Sequence, residues 1–432
     1  MTSRTIKASA QPLKGSYVPP GDKSLSHRAV MFGSLSEGIS TYKGFLASED
    51  CLHTLAAFQK MGVNAALEGD VLKVHGVGLQ GLSEPNEELY LGNSGTSIRL
   101  ILGILAGQRF EAILSGDPSL SSRPMKRVTE PLKQMGAQIK GKDNGNFAPL
   151  RIRGGKLKGI DYENHLGSAQ VKSALLFAGL YADGKTRIHD MLRSRDHSER
   201  FLLSSGASLL VKDDWIEISR TEKLIGLNGQ IPGDISSAAF FIAAAAMTPG
   251  SELTVKNVCL NPTRMGILNV LKKMGAHFEI EQSGVIPEPY GTLKVFGGRL
   301  KGTRIEKMEI PAVIDELPVI MVLMALAEGE SIISGAEELR VKETDRIASM
   351  TKNLNAAGAR VEELPDGCII RGIASLKGGH AESFFDHRTV MSMAIASLRM
   401  EGDLHIDETA CVSTSYPSFF SDFERLTGST IL

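Results

Sequence analysis

Six nearly unbroken apolar stretches recur along the chain, at 24–35, 94–105, 168–181, 236–247, 316–327 and 387–398. Each begins at a small or polar residue and stops near a glycine. Runs this apolar on every side predict helices buried all round, not helices lying half-exposed on a surface. A shorter run predicts a strand after each: 40–43, 110–114, 185–189, 252–255, 331–333 and 403–406. Buried helices alternating with strands predict an α/β layered architecture with helices inside and sheets outside.

A second repeat runs in phase with the first. A helix-like segment ends in an apolar-x-x-(Met/Ala/Ser)-Gly-(Ala/Val) tag. The copies are FQKMGV ending at Val63, LKQMGA at Ala137, LLSSGA at Ala207, LKKMGA at Ala276 and LNAAGA at Ala359. A degenerate sixth, LTGS, surrounds Gly428. The period is about 70 residues, too long for a solenoid, so each copy is a small subdomain. The glycine reads as a helix C-cap in the left-handed conformation. Strands are predicted beyond the tags at 71–75, 150–152, 215–219, 292–296 and 368–371, with hairpin additions.

The length of 432 residues suits two domains of about 200 residues each. The pair of Pro/Gly/Asp segments at 18–22 and 230–234 brackets three repeats. The expected division is a three-unit middle domain over 21–234, and a second domain made of 1–20 plus 235–432.

Composition narrows the functional classes. A formal net charge of −1 leaves no global basic field for nucleic acid or an anionic membrane. The longest apolar runs are near ten residues, against the about 20 that a membrane span needs. Cys51, Cys259, Cys368 and Cys411 form no C-x-x-C pair, which argues against a zinc site and suits a reducing compartment. No signal peptide is read at the start, and a cytoplasmic location is expected.

Charge is concentrated where the buried helices begin. Lys23, Arg28, Arg99, Arg123, Arg195, Lys342, Arg346 and Arg388 fall at helix starts or in the loops leading to them. A helix start offers free N–H groups and about half a positive charge, so cations there predict an anion site. Gly21-Asp22-Lys23-Ser24 fails the P-loop pattern, because Asp22 separates glycine from lysine. Gly95 lies in a loop entering a helix and could let an anion approach the backbone. Arg123 is expected in a long polar loop as a mobile clamp. In 340–346, Lys342 and Arg346 are spaced i, i+4 and are expected on one helical face, with Glu343 beside them as a proton carrier. Taken singly, each segment also reads as an ordinary cap, turn or solvated charge ladder.

Together the segments are highly specific. GDKSLSHR at 21–28, LGNSGTSIR at 91–99, GDPSLSSRPM at 116–125, SAQVKSALL at 168–176, SRDHSE at 194–199, RVKETDR at 340–346 and DHR at 386–388 occur in one order. In that order they resemble the EPSP synthase branch of the enolpyruvyl transferases, over the whole chain. The resemblance implies a two-domain inverse α/β barrel. Each domain would hold three βαβαββ units, with inner helices pointing their N-termini at the interdomain cleft. It implies enolpyruvyl transfer from phosphoenolpyruvate to the 5-hydroxyl of shikimate 3-phosphate, with no metal or organic cofactor. The expected partners are these two small molecules, with no nucleic acid and no membrane, and the expected state is a monomer.

The resemblance also assigns roles. Lys23, Gly95, Arg123 and Gln170 would hold the phosphoenolpyruvate phosphate, and Arg346 and Arg388 its carboxylate. Lys23, Ser24, Arg28, Ser168, Ala169 (through its backbone), Gln170, Ser194, Arg195, Asp315 and Lys342 would hold shikimate 3-phosphate. Asp315 would be the base for the 5-hydroxyl. Glu343, with Lys23, would move the C3 proton. Three positions bear on the branch. Many members carry a lysine near the position of Thr414, which this chain lacks, and Glu338 stands where some have Asn. Arg195-Asp196-His197 resembles the branch with glyphosate-tolerant members, whereas Gly95 is retained where some of those have Ala. The sister UDP-N-acetylglucosamine enolpyruvyl transferases are the alternative. They usually have Lys-Asn at the first helix and a cysteine in the mobile loop, where this chain has Lys23-Ser24 and no cysteine in 116–125.

Overall fold

A computed structural model describes residues 3–8, 11–284 and 288–432. Its described residues fall into two compact units. One takes the chain's start to Pro20 together with the segments that begin at Pro232 and Pro289, and runs to Leu432. The other takes Gly21–Ile231 with Glu288. Each unit encloses its own hydrophobic core. They are called here the first and the second unit.

The six predicted buried helices are present: α1 (Lys23–Leu35), α2 (Gly95–Ala106), α3 (Ala169–Gly179), α4 (Ile235–Met247), α5 (Leu317–Ala325) and α6 (His387–Ala396). Every residue of α4, α5 and α6 is buried, as the all-apolar pattern requires. Polar side chains set where five of them start. Asp22, Ser94, Ser168, Asp234 and Asp386 each accept a bond from a backbone N–H of the first turn. Glu316 precedes α5 without capping it, and Pro318 fills a first-turn position whose N–H has no helical partner.

One sheet pattern recurs around the helices. The described residues form five four-stranded sheets and one of three strands. In each four-stranded sheet the first strand is parallel to the second, the second antiparallel to the third, and the third antiparallel to the fourth. Around α2, for example, Leu89–Tyr90 pairs in parallel with Glu111–Ser115, which pairs with Phe147–Arg153, which pairs with Gln138–Gly141. Here, and wherever both parallel strands are local, the inner helix is the crossover between them, and an outer helix leads to the hairpin. The unit is thus βαβαββ.

Two modules borrow a strand from a distant part of the chain. Asn228–Gln230 pairs in parallel with Glu37–Lys43, so the second unit's last strand completes its first sheet. Lys14–Tyr17 does the same for Glu252–Cys259 in the first unit. Arg4–Ile6 joins Met400–Ile406, and the Tyr17 hydroxyl meets that of Tyr416 at 2.7 Å.

The glycine tags behave as read. Gly62, Gly136, Gly206, Gly275, Gly358 and Gly428 have φ of 88°, 115°, 82°, 83°, 87° and 67°. All six lie in the left-handed region, and the first five turn the chain out of an outer helix into a hairpin.

Candidate active site

In the second unit the starts of α1, α2 and α3 carry a dense polar network. Lys23 pairs with Asp50 at 2.5 Å. Arg28 is buried: its Nε donates to Ser198 Oγ (2.9 Å), Nη2 to Ser173 Oγ (2.9 Å) and Nη1 to the Ser24 carbonyl (3.0 Å). His27 sits between these cations, with Nδ1 at 2.8 Å from Thr54 Oγ1. Its pKa is pushed well below the ordinary value by burial and then by Lys23 and Arg28, so the ring is neutral and adds no charge. Thr54 in turn meets Ser97 Oγ (2.6 Å), which donates to the α2 cap Ser94 (2.6 Å).

Gly95, Arg99, Arg123 and Gln170 come together. Arg99 donates to Gln170 Oε1 (2.8 Å) and to the Pro124 carbonyl (3.1 Å). Gln170 donates to Thr96 Oγ1 (3.0 Å). Arg123 donates to Asn93 and to Ser119 Oγ (3.2 Å). A Cβ on Gly95 would lie 2.7 Å from Arg99 Nη1 and 3.3 Å from Arg123 Nη1. Glycine therefore lets both guanidinium groups close onto the start of α2. The segment expected as a long loop contains a short helix, Pro118–Ser122, capped by Asp117. Arg123 follows that helix and is buried, with its guanidinium on Asn93 and Ser119. Ser168 caps α3, Ala169 is its first residue, and Ser194 and Arg195 lie in the loop before the helix His197–Ser204.

In the first unit one charged cluster joins the starts of α5, α6 and the helix Arg346–Ala356. Asp315 Oδ1 is 3.5 Å from Arg346 Nη1 and 3.8 Å from Lys342 Nζ. Arg388 Nη1 donates to the Asp315 carbonyl at 2.8 Å. Arg346 also donates to Glu343 Oε2 (2.6 Å) and to Asp386 Oδ2 (2.8 Å). Burial works against the charge of Arg346, but Asp386, Glu343 and Asp315 outweigh it and raise its pKa. Asp386 both caps α6 and anchors Arg346.

The expectation that Lys342 and Arg346 share a helical face is overturned. Glu337–Val341 is a 3-10 helix, and the α-helix begins only at Arg346, because Asp345 caps it through Ala348 N–H (3.0 Å). The loop nevertheless brings both cations to Asp315. Thr414 stands at the α6 start, with Oγ1 at 3.4 Å from His387 Nδ1.

All the residues proposed from the sequence therefore lie in these two sets: Lys23, Ser24, Arg28, Gly95, Arg123, Ser168, Ala169, Gln170, Ser194 and Arg195 in the second unit, Asp315, Lys342, Glu343, Arg346 and Arg388 in the first. Sequence reasoning missed Asp50, Asn93, Asn164, Lys172 and Asp190, whose side chains hold those residues. Lys172 alone carried a signal, as a lysine inside an apolar helix.

Comparison with known proteins decides the family. A model described as EPSP synthase (3-phosphoshikimate 1-carboxyvinyltransferase) matches residues 7–423. The chain belongs to the EPSP synthase family. A 3-phosphoshikimate 1-carboxyvinyltransferase from Pelobacter propionicus is 50% identical over 414 residues, covering 96% of each chain. One from Bacillus cereus is 48% identical over 427 residues, covering 99% of this chain and 100% of its own. A solved EPSP synthase from Acinetobacter baumannii superposes with a TM-score of 0.88 at 41% identity, covering 100% of this chain and 99% of that one. The two-domain inverse α/β barrel of the EPSP synthase family is thus the fold of this chain, built from the repeated βαβαββ unit described above.

Proposed function

We propose that the two sets of residues carry out one reaction, enolpyruvyl transfer from phosphoenolpyruvate to the 5-hydroxyl of shikimate 3-phosphate. Membership of the EPSP synthase family supports this, and the observation that carries the chemistry is Asp315, flanked by Lys342 and Arg346. Both substrates are polyanions, so fixed cations must offset their repulsion before oxygen can approach carbon.

The second unit supplies the phosphate-binding groups. Lys23, Gly95, Arg123 and Gln170 take the phosphoenolpyruvate phosphate. Ser24, Arg28, Ser168, the Ala169 N–H, Ser194 and Arg195 hold shikimate 3-phosphate, with Lys23, Gln170, Asp315 and Lys342. The α1, α2 and α3 starts add free N–H groups beside these cations. The first unit supplies the carboxylate clamp together with Asp315 and Glu343. Arg346 and Arg388 pair with the phosphoenolpyruvate carboxylate, where a planar guanidinium fits best.

The step order follows. Asp315 removes the proton of the 5-hydroxyl as its oxygen bonds to C2 of phosphoenolpyruvate. Glu343, with Lys23, delivers a proton to C3, giving a tetrahedral intermediate. The C2–O bond to phosphate then breaks, C3 loses a proton, and the enol ether and inorganic phosphate result. Asp315→Ala is expected to lower kcat about 10²–10⁴-fold, far more than it raises either KM. An unchanged kcat would remove Asp315 from the base role.

A further inference from the structure

Behind the shikimate 3-phosphate residues lies a buried charged cluster to which the reaction assigns no part. Lys172, one turn into α3, is 2% exposed, as are Asp190 and Asn164. Lys172 Nζ meets Asp190 Oδ2 (2.8 Å), Glu199 Oε1 (2.6 Å) and the Ser194 carbonyl (2.9 Å). Asp190 Oδ2 also accepts from the Ser194 N–H (2.9 Å) and Oγ (2.8 Å), and Oδ1 accepts from Asn164 Nδ2 (2.7 Å). Asn164 Oδ1 accepts from the Ser168 N–H (3.1 Å), and its Nδ2 also reaches the Ser168 carbonyl (3.4 Å).

The cluster touches both Ser168 and Ser194. Four of its contacts fall on the backbone of Ser168 and Ser194, so it fixes their main-chain positions and not only their side chains. The loop between Asp190 and Ser194 contains Arg193 at φ 46°, a conformation that non-glycine residues adopt only when held. A buried ion cluster adds little stability over apolar packing of the same volume, because desolvation offsets attraction. Its geometric effect is therefore the more specific one.

We infer that Asp190, with Lys172 and Asn164, positions Ser168 and Ser194 for the phosphorylated acceptor. The inference rests on the proposed reading that those serines contact shikimate 3-phosphate. The three act through the serines and touch no substrate.

A mutant cycle between Asp190→Asn and Ser194→Ala tests this, with steady-state kinetics against each substrate. Asp190→Asn is expected to raise KM for shikimate 3-phosphate about tenfold and to leave KM for phosphoenolpyruvate within about twofold. In the Ser194→Ala background the same substitution should add clearly less than about tenfold, because the route through the Ser194 hydroxyl is already broken while the arm through Asn164 to Ser168 remains. A full tenfold effect in that background, an equal rise in both KM values, or no effect at all would overturn the inference. If Asp190→Asn fails to melt cooperatively, Asn164→Ala measured against Ser168→Ala replaces it, with the same outcomes. Should Ser168→Ala and Ser194→Ala both leave KM for shikimate 3-phosphate unmoved, the acceptor-site reading falls and takes this inference with it. Serine effects that persist beside an inert Asp190 would sink the inference alone.

Discussion

Gly95 is where two guanidinium groups converge, and that makes it the sharpest residue-level test of the phosphate site. An added methyl would sit 2.7 Å from Arg99 Nη1, closer than real Cβ contacts come, so Arg99 must shift. Arg99 holds Gln170 and the Pro124 carbonyl next to Arg123, so the shift propagates through the network. Gly95→Ala is predicted to raise KM for phosphoenolpyruvate about tenfold while the melting temperature stays constant. An unaltered KM would take Gly95 out of the phosphate site. At this scale, the residues proposed to face an anion were legible because they sit beside helix starts. Their supports were not. Asp50, Asn93, Asn164 and Asp190 reach their partners through the fold, and nothing local in the sequence marks a polar side chain as a brace.

At the level of elements, the helix ends were the most legible feature, because a C-cap is decided by one residue's backbone freedom. Gly275 isolates the effect: its φ is +83° and an added Cβ would meet nothing within 4 Å. Gly275→Ala is therefore predicted to cost about 1 kcal/mol through backbone strain alone. Equilibrium denaturation should show a lower midpoint at constant slope, and no loss would refute the assigned role. The parallel strands were the least legible elements. Leu89–Tyr90 and Arg304–Ile305 have two residues each, and Lys14–Tyr17 and Asn228–Gln230 include a glycine. Such pieces have no periodicity to read, and their partners lie far along the chain. The register that results has a chemical consequence. It places Glu163, His189 and Trp215 side by side on three neighbouring strands, with the imidazole stacked on the indole at 4.5 Å. The Glu163 bond, followed by that of Asp214, raises the pKa of His189. Because the folded value is raised, this ion-pairing favours the fold fully below the ordinary histidine pKa. It is lost as pH rises through the folded value. Trp215 is the sole tryptophan, so its emission should titrate with a midpoint above about 6.5. Glu163→Gln should lower that midpoint, and a midpoint insensitive to the substitution would contradict the assignment.

Taken as a whole, the molecule is a sixfold repeat arranged as three modules in each of two units with separate cores. The repeat was readable because each module needs one helix buried all round and one glycine-ended helix, and both leave strong local patterns. The borrowing of Lys14–Tyr17 and Asn228–Gln230 was not readable, since a strand's partner is chosen by the assembled sheet and not by its own residues. On the proposed reading most of the phosphate-binding groups fall in one unit, and Asp315, Glu343 and the carboxylate clamp in the other. One measurement tests the central claim most directly. Phosphate release from phosphoenolpyruvate is followed with metal chelated, offering shikimate 3-phosphate or UDP-N-acetylglucosamine as acceptor. The account predicts release with shikimate 3-phosphate and none with the nucleotide sugar; release with the nucleotide sugar alone, or with neither, would contradict it.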